Sequence, residues 1–402
     1  MAEPKPAPLK NQPSQDRPLF RQGFKLFFLG AGVWSLVAIA LWLGVLQGTV
    51  ALNSVFDPTT WHAHEMIFGY TIAVMAGFLL TAIPNWTGRL PLQGSSLMVL
   101  FGTWCIGRLA VFYSASIGAT ATMTTVMVLD LAFLTLLLGV VLREIIAGQS
   151  WRNLPMPFAI FMLLIANSLT HIERIGNTPT VAMGLRLGIM VMIVMICLIG
   201  GRIIPSFTHN WLKQQNPKNT RQPAPLNRFD IRCLFVTLMA GGAWVAVPEH
   251  AYTGIALITA AFVNMIRLSR WCGHLTLSEP LVWSLHLGFL WVPIGLALLG
   301  LSIIQPGMIP TSTGLHALTA GAIGSMTLAV MTRATLGHSG RPLAADTATT
   351  AIYIFITLAA GSRVIAPLLS DNQFQLFTAS AVCWGAAFAI FAVHYGRIIL
   401  AR

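Results

Sequence analysis

Long apolar runs, separated by short polar stretches, recur along the chain from Phe24 towards the C-terminus. Each run is about 20 residues long, which is enough for an α-helix to cross about 30 Å of hydrocarbon. The stretches between the runs are too short to hold a separate folded domain, and the longest is polar and lies at about 206–230. The pattern predicts one all-α, polytopic membrane domain over residues 24–402, with twelve spans at approximately 24–46, 62–83, 95–115, 119–142, 155–172, 183–205, 231–248, 250–268, 280–303, 312–332, 348–369 and 374–396.

Composition supports a membrane protein and excludes a water-soluble core. Hydrophobic residues make up 55% of the chain and charged residues only 9%, whereas soluble domains have roughly 25% charged residues. The net charge of +12 is spread over many loops rather than gathered on one module. We therefore expect the lipid bilayer as a partner, and no nucleic acid.

The distribution of basic residues predicts the topology, because Lys and Arg accumulate in cytoplasmic loops. On one side only Arg174, Arg186 and Arg363 are evident. Both termini are therefore expected in the cytoplasm, with residues 1–23 as a disordered cytoplasmic lead. The basic residues assigned to that side are Lys5, Lys10, Arg17, Arg21, Lys25, Arg89, Arg143, Arg152, Lys213, Lys218, Arg221, Arg228, Arg267, Arg270, Arg341 and Arg397.

Two ionisable residues fall inside predicted spans, where each needs a partner or a function. Arg108 on span 3 and Asp130 on span 4 differ in predicted depth by only about 4 Å, at 1.5 Å per residue. They are expected to pair across the hairpin. A structural ion pair is favoured over a proton relay, and neither residue is assigned as a metal ligand.

The ten histidines fall into two tiers, and a neutral imidazole is a strong metal ligand. Five cysteines are scattered without a CxxC pair, so neither a disulfide framework nor a thiolate cage is indicated. The outer tier is expected to comprise His62, His64, His171, His250 and His316, and the inner tier His209, His274, His286, His338 and His394.

Three helices of the outer tier are expected to converge at one depth. Span 2 opens with His62 and His64, but Glu65 at this helix start is equally compatible with a simple dipole-complementing end. Asn167 and His171 are four residues apart and so share one face of span 5, and His316 opens span 10.

Spans 2 and 10 contain a parallel internal repeat. Aligning His64 with His316 places Gly69 on Gly321, Gly88 on Gly340 and Arg89 on Arg341 without a gap. Spans 2 and 10 are eight spans apart, which is the spacing expected when an arc of four helices is repeated three times. The large subunit of haem-copper oxidases has a similar arrangement, in which helices 2 and 10 each carry a histidine that binds one haem. The analogy makes His64 and His316 a candidate axial haem pair. The copper-binding histidines of that family, one inside the sixth helix and a pair near the seventh, are missing, so a conventional oxidase is not predicted.

The chain closely resembles the NnrS family of bacterial membrane proteins. The resemblance rests on Trp61 to Tyr70 (WHAHEMIFGY), Thr81 to Arg89 (TAIPNWTGR), Gly201 to Pro205 (GRIIP), Trp283 to Gly288 (WSLHLG) and His316 through Arg341. It implies a protein of the cytoplasmic membrane that binds haem, b-type by expectation, and copper. It also implies a role in nitric oxide metabolism, including denitrification, or in nitrosative-stress defence.

Imidazole suits both iron and copper, and the chain has few carboxylates for a hard cation. His64 and His316 are the expected axial haem ligands, and His62 and His171 the next candidates for copper or a second axial position. His286 is either a metal ligand or a hydrogen-bonded packing group, and His338 is a further candidate. Arg333 either ends a helix at the headgroups or binds a haem propionate.

Three functions remain open from the sequence. The first is a metalloprotein that binds, and in an enzymatic version reduces, nitric oxide at a His-ligated haem. The second is a transporter or chaperone for haem, copper or a small solute, and the third is nitric oxide sensing without turnover. The parallel repeat favours the first, since transporters often have inverted repeats. No CxxCH motif or donor domain identifies an electron donor.

Overall fold

The structure is a computed structural model, and it describes residues 18–117, 120–176, 178–216 and 221–401. Over these residues all regular secondary structure is helical. Most of the predicted disordered segment 1–23 lies outside the described residues. The first described element is a single 3₁₀ turn at Pro18–Phe20, which leads into the first long helix at Gly23.

Twelve helices are long and apolar enough to cross a membrane, as predicted. We number them as spans 1 to 12 in chain order. Their bounds are Gly23–Leu46, Pro58–Thr87, Ser95–Phe112, Met123–Ala147, Trp151–Gly176, Val181–Gln215, Arg228–Ala246, Ala251–Leu275, Pro280–Ile304, Thr311–His338, Thr347–Leu368 and Ser370–Leu400.

The predicted start of the polar loop, at about residue 206, was wrong. Span 6 continues as helix to Gln215 and is 35 residues long, or about 50 Å at 1.5 Å per residue. It therefore exceeds the hydrocarbon thickness, and its polar last turns stay helical beyond it. The polar composition of these turns signalled an exit from the membrane, and was misread as the end of the helix.

Consecutive spans pack against each other, and span 12 packs on span 1, which closes the bundle into a ring. Spans 2, 6 and 10 occupy its interior and contact one another. In the most apolar window of each of these three spans, 78%, 61% and 72% of the residues are buried, more than in the other nine. Helices four apart in the sequence thus share the centre, as an arrangement in arcs of four predicts.

The repeat between spans 2 and 10 is reproduced in the backbone. Residues Glu65–Thr71 and Ala317–Ile323 are both π-helical, and both segments begin one residue after the aligned histidines. Gly88 and Gly340 both have positive φ, +69° and +66°, just past the inner end of each helix. This conformation favours glycine and ends helices. Because π-helical turns are rare and frequent at functional sites, the paired π segments direct attention to His64 and His316.

Arg267 was wrongly assigned to a cytoplasmic loop. It lies within span 8 with a side chain only 2% exposed, and its Nε donates to Asp230 Oδ1 at 2.9 Å. Its Nη1 donates to the carbonyl of Cys197 on span 6 at 2.9 Å. Gly201 provides the space, because a Cβ there would overlap the guanidinium. The arginine thus ties spans 6, 7 and 8 together instead of marking a loop.

Candidate metal centre

The start of span 2 carries His64 into the interior of the bundle. The carboxylate of Asp57 accepts a hydrogen bond from Thr60 N at 3.0 Å, and Pro58 occupies the first turn. Both features favour helix initiation at this point. After two turns of α-helix, the π-helical segment follows, and the side chains of His64 and Glu65 are completely buried.

Three side chains from three different spans offer ligand atoms to one point. These are His64 on span 2, Asp130 on span 4 and His171 on span 5, and their ligand atoms all lie within 4.8 Å of one another. Asp130 Oδ2 is 3.2 Å from His64 Nε2 and 2.9 Å from His171 Nε2. All three side chains are at most 4% exposed. We call this group the His64 centre.

The predicted pair of Arg108 and Asp130 is confirmed, and Glu65 extends it. Arg108 donates through one nitrogen to Asp130 Oδ1 and through the other to both carboxylate oxygens of Glu65, each at 2.8 Å. Trp34 Nε1 also donates to Glu65, at 2.9 Å. Two carboxylates thus face one guanidinium, which leaves one negative charge for another cation to balance. A proton on an imidazole or a metal ion can provide it.

Asn167 and Phe56 complete the surroundings of the centre. The Asn167 amide nitrogen donates to Asp130 Oδ2 at 2.8 Å, and its oxygen lies 2.9 Å from His64 Nε2. The ring of Phe56, from the segment before span 2, lies 5.2 Å from the His64 ring and 5.4 Å from the His171 ring. Phe56 is itself buried and therefore covers both imidazoles.

His62 and His316 are not among the ligand-bearing residues of the His64 centre. The ring of Trp42 on span 1 stacks on the His62 ring, with 4.5 Å between the ring centroids. His316 Nδ1 is 2.7 Å from the carbonyl of Ser312. The expected axial pair of His64 and His316 stays a prediction, with His64 inside the centre and His316 outside it.

The remaining predicted site residues lie elsewhere, towards the predicted inner face. His286 Nε2 is 2.8 Å from Thr208 Oγ1, while its Nδ1 is buried without a hydrogen-bond partner among the described residues. His338 lies 5.7 Å from the ring of Phe24. The guanidinium of Arg333 lies 4.0 Å from the ring centre of Phe207.

Sequence reasoning missed Asp130 as a member of the centre. The signal was present, since a carboxylate in a span needs compensation, but pairing it with Arg108 satisfied that requirement. One carboxylate has two oxygens, however, and Oδ1 meets Arg108 while Oδ2 faces the two imidazoles. Only the tertiary structure shows this division.

Below the centre, spans 2, 6 and 10 line a partly open cavity of about 80 Å³. Its lining is apolar apart from two threonines. It begins at Thr71, seven residues after His64, or about 10 Å along the helix. The lining residues are Thr71, Val74, Met75, Phe78, Met192, Met195, Ile196, Ile199, Gly200, Ile203, Met326, Thr327 and Val330.

The ligand set of the His64 centre consists of two imidazole nitrogens and one carboxylate oxygen. Such sets suit copper and non-haem iron, whereas calcium and magnesium prefer all-oxygen sites. The second carboxylate and Arg108 hold Asp130 in place, as partners of metal-bound carboxylates do. The residues therefore fit the copper that the family resemblance implies.

The comparisons with known proteins agree with the motifs. No curated protein and no solved structure shows a significant match to the chain. The profile of the NnrS protein family matches residues 18–402, which is nearly the whole chain. That family implies a metal-containing membrane protein and is consistent with a function related to nitric oxide. The chain belongs to the NnrS family.

Proposed function

We propose that this protein is a membrane metalloprotein of nitric oxide metabolism or nitrosative-stress defence, which binds nitric oxide at metal held by imidazole. The observation that carries the proposal is the His64 centre, where two histidines and Asp130 from three helices converge in a buried place. The proposal places copper there. Intramembrane ionisable groups are costly and mark functional sites, and this centre has five around one point, including Glu65 and Arg108.

Charge supports a cation at the centre. With neutral imidazoles, Glu65 and Asp130 exceed Arg108 by one negative charge in a site that water does not reach. An uncompensated buried charge is strongly unfavourable. A copper ion beside Asp130 Oδ2 offsets this negative charge. Without Arg108, the excess would be two negative charges instead of one.

The chain provides the surroundings that a small apolar ligand needs. Nitric oxide dissolves in lipid, and the cavity between spans 2, 6 and 10 gives it an apolar space in the bundle interior. Phe56 covers the two imidazoles and restricts water and larger ligands. Copper, when bound, would supply an open coordination position for nitric oxide. Reduction would need electrons from a donor outside this chain and is not part of the proposal.

The test is metal analysis and nitric oxide titration of detergent-purified protein from cells supplied with copper and haem. We expect stoichiometric copper and an optical or EPR change on adding nitric oxide. His171→Ala should lose the copper, because His171 supplies one of three ligands. His250→Ala is the matched control, since His250 stacks on Tyr252 at the start of span 8, away from the centre.

Two results would count against the proposal. Folded wild-type protein without copper or iron, despite ample supply, would exclude a metal centre and favour a transporter or chaperone. Equal copper in His171→Ala and wild type would remove the His64 centre as its place. Iron in place of copper, lost in His171→Ala, would keep the centre and change its metal.

A further inference from the structure

A row of buried hydroxyl groups starts at the predicted inner face, between spans 11 and 12. It begins at Asp346, just before span 11, whose side chain is 52% exposed and pairs with His394 at 2.8 Å. Thr349 Oγ1 donates to Asp346 Oδ1 at 2.7 Å and lies 2.7 Å from the hydroxyl of Tyr395 on span 12. Because Thr349 and Tyr395 are buried, these two contacts lead from the surface into the bundle.

A second pair of hydroxyl groups lies one helical turn deeper. The hydroxyl of Tyr353 on span 11 lies 2.6 Å from Thr332 Oγ1 on span 10, and both residues are buried. Tyr353 follows Thr349 by four residues and so lies on the same face of span 11. Thr332 also lies beside Tyr395, which connects the two pairs. We call these four residues, with the two serines described next, the hydroxyl row.

Two serines extend the row towards the bundle interior. Ser284 of span 9 and Ser325 of span 10 line one narrow pocket together with Tyr353. Their Oγ atoms are buried and have no hydrogen-bond partner among the described residues. Buried polar atoms without partners are rare and call for an explanation. A serine hydroxyl can rotate to a new partner, and the Tyr353 side chain is a polar neighbour in this pocket.

A row of hydroxyl groups can transfer protons, because each hydroxyl both donates and accepts a hydrogen bond. A hydroxyl that accepts a proton from one neighbour releases its own to the next, so only O–H bonds break and form. Thr349 already has both roles, since it donates to Asp346 and leaves Tyr395 to donate to it. Burying hydroxyl groups is costly, and aliphatic side chains of similar shape would pack at this interface without that cost.

We infer that the hydroxyl row is a proton path from the predicted inner face to the wall of the cavity between spans 2, 6 and 10. Asp346 and His394 exchange protons with water at its entrance. Ser325 is its inner end, because the next two residues, Met326 and Thr327, line that cavity. The inference goes beyond the proposed function, since binding of nitric oxide needs no protons. It assigns to the bundle interior a reaction that takes up or releases them.

The experiment measures hydrogen exchange at the tyrosine hydroxyls of purified full-length protein. The chain has only five tyrosines, so carbon-13 at Cζ gives few NMR signals, and each shifts when its hydroxyl takes up deuterium. Tyr70 is the internal control, because it is as buried as Tyr353 and bonds to Thr327, outside the row. We expect Tyr353 and Tyr395 to exchange at least about tenfold faster than Tyr70, which depends on local opening.

Thr349→Val tests whether exchange follows the row, because it removes one hydroxyl and keeps the shape of the side chain. We expect exchange at Tyr395 and Tyr353 to slow by about tenfold, towards the rate set by local opening, with Tyr70 unchanged. A hydrogen bond that served packing alone would loosen the site when lost, and exchange would become faster. Thr350→Val is the matched control, since Thr350 Oγ1 donates to the Asp346 carbonyl at 3.0 Å, outside the row.

Three results would overturn the inference. These are Tyr353 and Tyr395 exchanging as slowly as Tyr70, unchanged or faster exchange in Thr349→Val, and equal slowing in Thr349→Val and Thr350→Val. None of these readouts depends on bound metal or nitric oxide. Protein without metal would therefore contradict the proposed function and leave this test intact, and a failed exchange test would leave the copper proposal standing. Size-exclusion profiles and thermal melts establish that each variant is folded.

Discussion

Asp130 Oδ2 lies 3.2 Å from His64 Nε2 on a neighbouring helix, with both side chains fully buried. The other oxygen of the same carboxylate faces Arg108. One residue therefore belongs both to an ion pair that holds spans 3 and 4 together and to a group that offers ligands to a metal. Substitutions of Arg108 and of Asp130 should therefore affect stability and metal content differently.

Arg108→Gln should destabilise the protein more than Asp130→Asn. Removing the guanidinium leaves two buried carboxylates, Glu65 and Asp130, without their cation. Loss of one partner of a buried pair costs about 3–5 kcal/mol. Asp130→Asn leaves Arg108 paired with Glu65, so the remaining charges balance. Thermal unfolding in detergent measures the difference, with copper content as a second readout.

Asp130→Asn is nevertheless expected to lose its copper, because an amide is a poor substitute for a carboxylate ligand. Equal melting temperatures for the Arg108 and Asp130 variants would contradict the charge count. Copper retained in Asp130→Asn would remove this residue from the ligand set.

Gly69→Ala should disrupt the same network through space alone. A Cβ at Gly69 would lie 2.8 Å from Glu65 Oε2, 2.8 Å from Trp34 Nε1 and 2.9 Å from Arg108 Nη1. Overpacking of a filled core costs typically about 1–3 kcal/mol. We expect a lower melting temperature and less copper. Gly102→Ala, on span 3, is the matched control, since nothing lies within 4 Å of its added methyl group. A Gly69→Ala protein as stable and as metal-rich as this control would refute the packing argument.

Gly201→Ala should break the buried contact between spans 6 and 8. The added methyl would overlap the Arg267 guanidinium, which is held by Asp230 and by the Cys197 carbonyl. If the arginine is displaced from its buried partner, the expected loss of stability is about 3–5 kcal/mol. Thermal unfolding of Gly201→Ala beside Gly242→Ala, where the methyl meets nothing within 4 Å, measures it. No difference between the two would show that Arg267 can move aside at little cost.

Asp346 is expected to contribute pH-dependent stability at the start of span 11. Its carboxylate accepts hydrogen bonds from Thr349 N at 2.8 Å and Thr349 Oγ1 at 2.7 Å, and it pairs with His394 at 2.8 Å. Partial burial raises the pKa of Asp346, but the Thr349 hydrogen bonds and the His394 charge outweigh it and hold the pKa below its ordinary value. Stabilisation is therefore present above the ordinary pKa and is lost as the pH falls through the depressed one.

Asp346→Ala should cost about 1 kcal/mol at neutral pH, as for other helix caps. The difference from wild type should shrink in acid, below about pH 4. Thermal melts between pH 7 and pH 3 test this, with Asp371→Ala as a control, because Asp371 is exposed and its Ser370 contact is long, at 3.4 Å. A difference that stays constant over this range would show that the charge of Asp346 is irrelevant to the cap.

The sequence by itself determined the membrane class and the number of spans. In lipid, backbone groups must be satisfied within the helix, so apolar length alone identifies a span. The repeat was also readable, because Gly88 and Gly340 mark helix ends where a positive φ is needed. The family likewise followed from motifs such as Trp61 to Tyr70, and the match over residues 18–402 confirms it.

The grouping of the histidines was decided only by the tertiary structure. His62 and His64 are two residues apart on one helix, so their side chains point in directions about 200° apart. Sequence shows that difference but cannot say which neighbour each direction meets. The packing of spans 4 and 5 brings Asp130 and His171 to His64, while His62 meets the ring of Trp42 on span 1. Partners far apart in the chain depend on how helices are rotated and arranged, which apolar length and periodicity leave undetermined.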